Sequence, residues 1–253
     1  MYFIKIIKSL FKKSSVYNFN NIKRNEWIKK QAGSLSENSR VLDAGAGSCP
    51  YRSLFSHCDY KTQDFINLED EQLSYGKYGN IDYVCDISNI PVGDSSFDAV
   101  LCSEVLEHVP DPVSVIKEFA RILKPGGKLI LTAPLGSGLH QEPFHFYGGY
   151  TEFWYDKYLS EAGYGEIIVE ANGGSLQACG QESMRFIQLS RPFKMKMPLL
   201  VELLWLPVWL VMTPLMFLLV PYISYLLNKY DKNKNFTIGY HVTAKRLGGN
   251  ISK

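Results

Sequence analysis

With 253 residues, 46% of them hydrophobic and 21% charged, the chain can bury the core of one α/β domain with insertions and needs no covalent staple. A formal net charge of +2, with basic residues gathered at the N-terminus and around one apolar run and no aromatic-interleaved groove, argues against nucleic-acid binding. Cys49, Cys58, Cys85, Cys102 and Cys179 form no CxxC pair, which fits reduced cytosolic thiols and excludes a disulfide framework or zinc ribbon.

Residues 1–38 read as a basic, partly amphipathic helical extension. Phe3, Ile4, Ile6, Ile7, Leu10 and Phe11 interleave with lysines, and Lys5, Lys8 and Lys12 share one helical face. The lysines interrupt the apolar stretch a signal peptide needs, so the segment lies either on anionic lipid or over the nucleotide site.

Arg40–Val41–Leu42–Asp43–Ala44–Gly45–Ala46–Gly47–Ser48–Cys49–Pro50 has the pattern of a strand ending in an acid, a Gly-x-Gly turn and a helix opened by proline. A second short strand, Asp59–Asp64, ends in a carboxylate about 20 residues further on, where it can accept hydrogen bonds from ribose hydroxyls. A third, Ile81–Ile87, ends at Asp86, and a fourth runs from Phe97 to Glu104. Val115, Ile116, Phe119, Ile122 and Leu123 follow at helical spacing. Lys124–Pro125–Gly126–Gly127 should stop that helix before a strand at Lys128–Thr132. Strands alternating with helices predict a parallel sheet with its ligand crevice at the carboxyl ends of the strands. Asp43, Asp64, Asp86 and Glu104 should all lie there, and no Lys or Arg occurs from Ala44 to Pro50. A pyrophosphate disfavours such a ring of carboxylates, whereas a cationic adenosyl ligand prefers it, although some of these acids could serve only as helix caps.

Beyond the fifth strand, His140–Gln141–Glu142–Pro143–Phe144–His145–Phe146–Tyr147 leaves the sheet at its ligand edge. His145 and His140 are candidate general bases, Glu142 their orienting carboxylate, and Tyr147 and His108 candidate substrate contacts. Pro143 prevents a continuous helix presenting both histidines on one face, so no metal is expected. Thr151 is the expected N-cap of a helix ending near Gly163, with Phe153, Trp154 and Tyr158 as core or lid packing.

Leu203 to Leu227 carries no charge and is long enough to cross a bilayer. Basic residues flank it on both sides (Arg191, Lys194 and Lys196, then Lys229, Lys232 and Lys234), and a strand at Phe236–Lys245 has still to join the sheet. Both ends should therefore stay on one side of the membrane. Pro207, Pro214 and Pro221, every seven residues, suggest a re-entrant or in-plane hairpin, with a homodimer interface as the alternative.

The sequence resembles the class I S-adenosylmethionine-dependent methyltransferases from about Ser39 to Gly173 and again from about Phe236 to Arg246, closest to small-molecule and glycan-modifying members. Val41–Gly47, Phe97–Val100, Glu104–Val109 and Leu123–Gly127 carry the resemblance. It implies a Rossmann-like α/β sheet, mostly parallel with an antiparallel last strand, over 39–192 and 235–250, with an apolar helical insert at 193–234. It implies S-adenosyl-L-methionine as cofactor, with Asp43, Gly45 and Gly47 at the methionine end, Asp64 on the ribose and Asp86 with Ile87 at the adenine. Ser103 and Glu104 would border the methyl-donor cavity. Many members carry glycine where this chain has Cys49. The expected activity is methyl transfer to a small or lipid-linked acceptor, such as a glycan, on the cytosolic membrane face. The alternatives are methylation of a quinone or lipid ring and a non-catalytic cofactor-binding module that uses the insert as a partner interface.

Overall fold

The computed structural model describes residues 14–248 apart from Ser74 and Asn233; the amphipathic segment expected at 1–13 lies outside the described residues. The chain divides into two compact units, one of residues 24–170 with 239–253, the other of residues 1–23 with 171–238.

The larger unit is built on a sheet of β1 (Arg40–Ala44), β2 (Asp59–Asp64), β3 (Tyr83–Val84), β4 (Phe97–Ser103), β5 (Leu123–Pro134), β6 (Tyr164–Ala171) and β7 (Gly239–Arg246). The strand order is β3-β2-β1-β4-β5-β7-β6, with β7 antiparallel to β5. β1 lies between β2 and β4, parallel to both, so the strand order reverses beside it and opens a crevice at its carboxyl end. Val41, Leu42, Ala99, Val100, Leu101, Leu129, Ile130 and Leu131 are fully buried, as expected for parallel strands covered on both faces. Trp27, Ile28 and Ala32 of α1 (Phe19–Ala32) cover one face with Tyr51 and Phe55. α2 (Pro112–Ile122), capped by Asp111, buries Val115, Ile116, Phe119 and Ile122. α3 (Glu152–Glu161) begins as the sequence predicts, with the Thr151 side chain accepting from the Trp154 N–H.

Three local expectations are corrected. After the Gly-x-Gly turn there is one 3-10 turn, Arg52–Phe55, and no α-helix, because β2 begins at Asp59 and leaves room for little more. The third strand shrinks to Tyr83–Val84; just before it, the Asp82 N–H donates to Thr62 O while the Asp82 carboxylate accepts from the Thr62 N–H and hydroxyl. Lys124–Gly127 ends α2 as expected but already belongs to β5, with Gly126 at φ +80°.

In the smaller unit the apolar run is one helical rod, Leu199–Tyr230, and no hairpin. α5 (Leu199–Pro214) passes through a π turn (Leu215–Leu219) into α6 (Val220–Leu227) and a final 3-10 turn. Proline breaks a helix by removing an N–H and crowding the preceding turn. Here the widened turn takes up that change. Val220 N–H bonds back to Leu215 O, and the carbonyls of Met216 and Leu218 accept from the hydroxyls of Ser183 and Tyr17. The antiparallel partner is α4 (Ser175–Leu189). Gly180 packs on Pro221 and Ser224, Ser183 on Met216, and the indole N–H groups of Trp209 and Trp205 donate to Ile187 O and Ser190 O at the end of α4. A methyl group at Gly180 would meet Ser224 Cβ at 3.0 Å, a tight contact that the missing side chain avoids. Much of the rod's outer surface is apolar and exposed, including Leu204 (66%), Val211 (74%) and Leu218 (42%).

Candidate active site

The Gly-x-Gly turn sits at the carboxyl end of β1. Gly45 (φ +72°) could not carry a side chain, because a Cβ would lie 2.5 Å from Val105. The N–H groups of the turn are already committed: Gly45 and Ala46 donate to Gln63 O, Gly45 also to Gln63 Oε1, and Gly47 to Asp64 Oδ2 at 2.8 Å. A turn built this way offers little to a phosphate and much to a cation, because what remains at the crevice is carboxylate. Cys49, where glycine is common in the family it resembles, adopts φ +54° and fits its sulfur against Gly79, which has no Cβ.

Asp43 and Asp64 are almost wholly buried at adjoining strand ends. Tyr60 OH donates to Asp43. Burial pushes the Asp43 carboxyl up to about 7, opposed by the Tyr60 hydrogen bond and assisted by Asp64. Asp64 Oδ1 accepts from the Ile66 N–H at 3.0 Å, so this one carboxylate ties the turn to the end of β2. Asp86 is exposed and accepts from the Ser88 N–H and hydroxyl, beside buried Ile87.

At the end of β4, Ser103 Oγ lies 3.0 Å from Thr132 Oγ1. Glu104 has φ +57°, a strained value for a glutamate that its partners must hold. Its N–H donates to Thr132 O, its Oε1 accepts from Thr132 Oγ1 at 2.9 Å, and its Oε2 pairs with Arg24 at 2.9 Å. One turn on, Glu107 is buried with Oε2 unpartnered, and burial with the nearby Glu104 charge raises its carboxyl to about 8.

The loop after β5 folds back over this turn. Phe146 and Tyr147 N–H groups donate to Glu107 O, and Tyr147 OH donates to Pro110 O at 2.9 Å. His108, His140 and His145 form one cluster, with ring centroids 4.7 Å (108–140), 5.5 Å (108–145) and 4.5 Å (140–145) apart. Burial, followed by the two neighbouring rings, lowers His108 to about 4 against the pull of Phe144 O; burial and His140 lower His145. His108 is therefore neutral at pH 7.

The structure thus gathers His140, His145 and His108, and places Asp43, Gly45, Gly47, Asp64, Ser103 and Glu104 at or just beyond the carboxyl ends of adjoining strands. It does not bring the Glu142 carboxylate to the histidines: Glu142 is exposed, and its backbone carbonyl accepts from the Gln72 side-chain amide. The carboxylate near the cluster is Glu107, with Oε1 3.8 Å from His108 Nε2. Sequence reasoning missed Glu107, Arg24 and Gln63. The Glu-x-x-Glu-His spacing of Glu104–His108 was the available signal for Glu107. Phe153 is 75% exposed while Tyr155 is fully buried, so the aromatic packing of α3 uses Trp154 and Tyr155, both tilted against Tyr150, with Tyr158 beside Trp154, and not Phe153.

Residues 42–131 match the family described as a methyltransferase domain. A ubiquinone biosynthesis O-methyltransferase from Bordetella bronchiseptica is 34% identical over 109 residues, which is 40% of this chain and 44% of the relative. The chain thus matches less than half the length of that curated relative. Among solved structures, a protein described as a sarcosine dimethylglycine methyltransferase from Galdieria sulphuraria superposes with TM-score 0.52 at 17% identity, over 89% of this chain and 86% of its own. The cyclase SpnF does so with TM-score 0.51 at 18% identity, over 88% and 81%. These two show the fold, and SpnF shows that the fold alone does not set the reaction.

Proposed function

We propose that this chain, whose residues 42–131 are a methyltransferase domain of the class I S-adenosylmethionine-dependent kind, methylates a hydroxyl of a small amphipathic or lipid-linked acceptor, glycans included, at the cytosolic membrane face. The observation that carries the choice of acceptor is the exposed apolar rod Leu199–Tyr230. It is uncharged from 203 to 228 and has lysines beyond both ends. At 1.5 Å per residue it is about 48 Å long, against a hydrocarbon core of about 30 Å. A crossing is disfavoured because α4, packed antiparallel along the rod, carries Glu182 and Arg185, and because β6 and β7, which flank the segment, are neighbours in one sheet. Lying in the interface, the rod would sink its apolar face while the lysines meet anionic headgroups.

When bound, S-adenosylmethionine supplies an electrophilic methyl group on a cationic sulfur. The acid-rich crevice fits it: Asp43, Gly45 and Gly47 would hold its methionine end, Asp64 its ribose and Asp86 with Ile87 its adenine. Ser103 and Glu104 would border the methyl group. A hydroxyl must lose its proton as the new C–O bond forms, and His145 or His140 in the histidine cluster would accept it, with Glu107 in the part expected of Glu142. Tyr147 and His108 would contact the acceptor.

A cation beside Asp43 favours its carboxylate, so binding should release a proton below about pH 7. Cofactor affinity should fall by up to about tenfold per unit as the pH drops below 7, and calorimetry in buffers of different ionisation enthalpy should count the proton. A flat profile removes Asp43 from the cofactor site. The same raised carboxyl stabilises the fold fully below its unfolded value near 4, and that stability is lost as the pH rises through 7.

The name of the Bordetella relative favours a second reading, O-methylation of a ubiquinone-biosynthesis intermediate. Transfer of tritiated methyl into membranes, fractionated into organic-extractable, protein and nucleic-acid pools, tests both readings. Label in the organic pool is expected, and its mobility separates glycolipid from quinone. Label confined to protein or nucleic acid overturns the proposal, and bound cofactor without turnover points to a binding module.

A further inference from the structure

The three histidines are arranged for more than proton transfer. Each imidazole has one nitrogen tied to its own protein surroundings and the other unspent. His108 Nδ1–H donates to Phe144 O at 2.7 Å, which leaves the Nε2 lone pair free; that nitrogen is 3.8 Å from Glu107 Oε1, beyond hydrogen-bond reach. His140 Nδ1–H donates to Gly138 O at 2.8 Å, again freeing Nε2. His145 lies with Nε2 3.4 Å from Ser137 Oγ, and its Nδ1 is buried without a partner. One ring nitrogen from each histidine lies within 4.8 Å of the other two. A carbonyl behind a histidine that fixes its tautomer and aims its other nitrogen is the usual outer shell of a metal ligand. A buried imidazole nitrogen with nothing to bond is costly unless something binds it.

We infer that His108, His140 and His145 form a three-imidazole site for a divalent transition metal of the zinc, cobalt or iron(II) class. Nitrogen-only ligation disfavours magnesium and calcium, which take oxygen ligands. Metal–nitrogen bonds of about 2.0–2.1 Å require the ring nitrogens to approach by roughly an ångström. His140 and His145 sit on one connection after β5, so that loop can supply the movement. Glu107, with its buried Oε2 unpartnered, is a candidate fourth ligand. The expectation from sequence that Pro143 rules out a metal considered only two histidines on one helix; the third comes from the turn after β4. If the fourth position stays open it would take an acceptor oxygen. That use rests on the proposed methyl transfer, whereas the site itself does not.

The test titrates Co2+ into chelator-stripped full-length protein without cofactor or acceptor, followed by Zn2+ competition. One equivalent with the visible bands of four- or five-coordinate Co2+ is expected, displaced by Zn2+. His140→Ala and His145→Ala should each weaken binding at least about tenfold, and Ser137→Ala less, while His57→Ala leaves it unchanged. X-ray absorption of the Zn2+-loaded wild type should count three imidazoles, a readout that needs no variant. Stoichiometric binding that ignores His140 and His145, fewer than three imidazoles, or no binding beyond that of a variant carrying both His140→Ala and His145→Ala overturns the site. If label transfer persists in chelator while no metal binds, methyl transfer stands and the metal site falls; the converse result fails the methyl-transfer reading alone.

Discussion

Asp64→Ala is expected to weaken S-adenosylmethionine binding by about 2–4 kcal/mol, roughly 30- to 1000-fold, measured by calorimetry or equilibrium dialysis. Two effects combine. The proposed ribose contacts are charge-assisted hydrogen bonds to this carboxylate. The same carboxylate also accepts from Gly47 and Ile66, so its loss releases the turn that shapes the methionine end. Asp64→Asn separates the two, because the amide oxygen can still accept from a backbone N–H while the charge is gone. It should keep the thermal stability of the parent and lose most of the affinity. Undiminished affinity in both variants would place the ribose elsewhere than at the end of β2.

The combined change of Leu204, Val211 and Leu218 to Glu should reduce binding to phosphatidylglycerol-containing vesicles by at least about 100-fold in a sedimentation assay. Each leucine or valine that leaves water contributes about 1.5–3 kcal/mol, and a carboxylate in the same place opposes entry. All three are exposed, so thermal stability should hardly change. Wild-type protein that stays in the supernatant, or a variant that sediments equally well, rejects membrane contact. A wild type that is dimeric without vesicles, and monomeric after the substitution, would assign the apolar face to a second copy of the chain.

Much of the larger unit is legible from sequence because its signals are local. Val41–Leu42 and Ala99–Leu101 are uninterrupted apolar runs of strand length, Thr151 is a cap three residues before the N–H it accepts from, and Val115 to Ile122 repeat with the helix. Such patterns depend on backbone geometry within a few residues. The antiparallel β7 was readable through family resemblance and not through its own residues, which carry no mark of direction. The composition of the apolar run marks it as helical, and its prolines suggest a hairpin that the structure does not form. Proline reports only the loss of one N–H; whether the helix breaks depends on what meets the freed carbonyls, here Ser183 and Tyr17 at the π turn.

By itself the sequence determined the parallel sheet, the turn at Gly45–Gly47 and the crowding of carboxylates at the strand ends, because periodicity and the residues that end each strand are written in the chain. Only the tertiary structure decided how those groups are spent. It sets Arg24 against Glu104 across 80 positions, uses Gln63 and Asp64 to occupy the turn's N–H groups, buries Glu107, and brings His108 to His140 and His145. Charge, burial and hydrogen-bond state depend on neighbours distant in sequence, and single-residue identity carries no record of them.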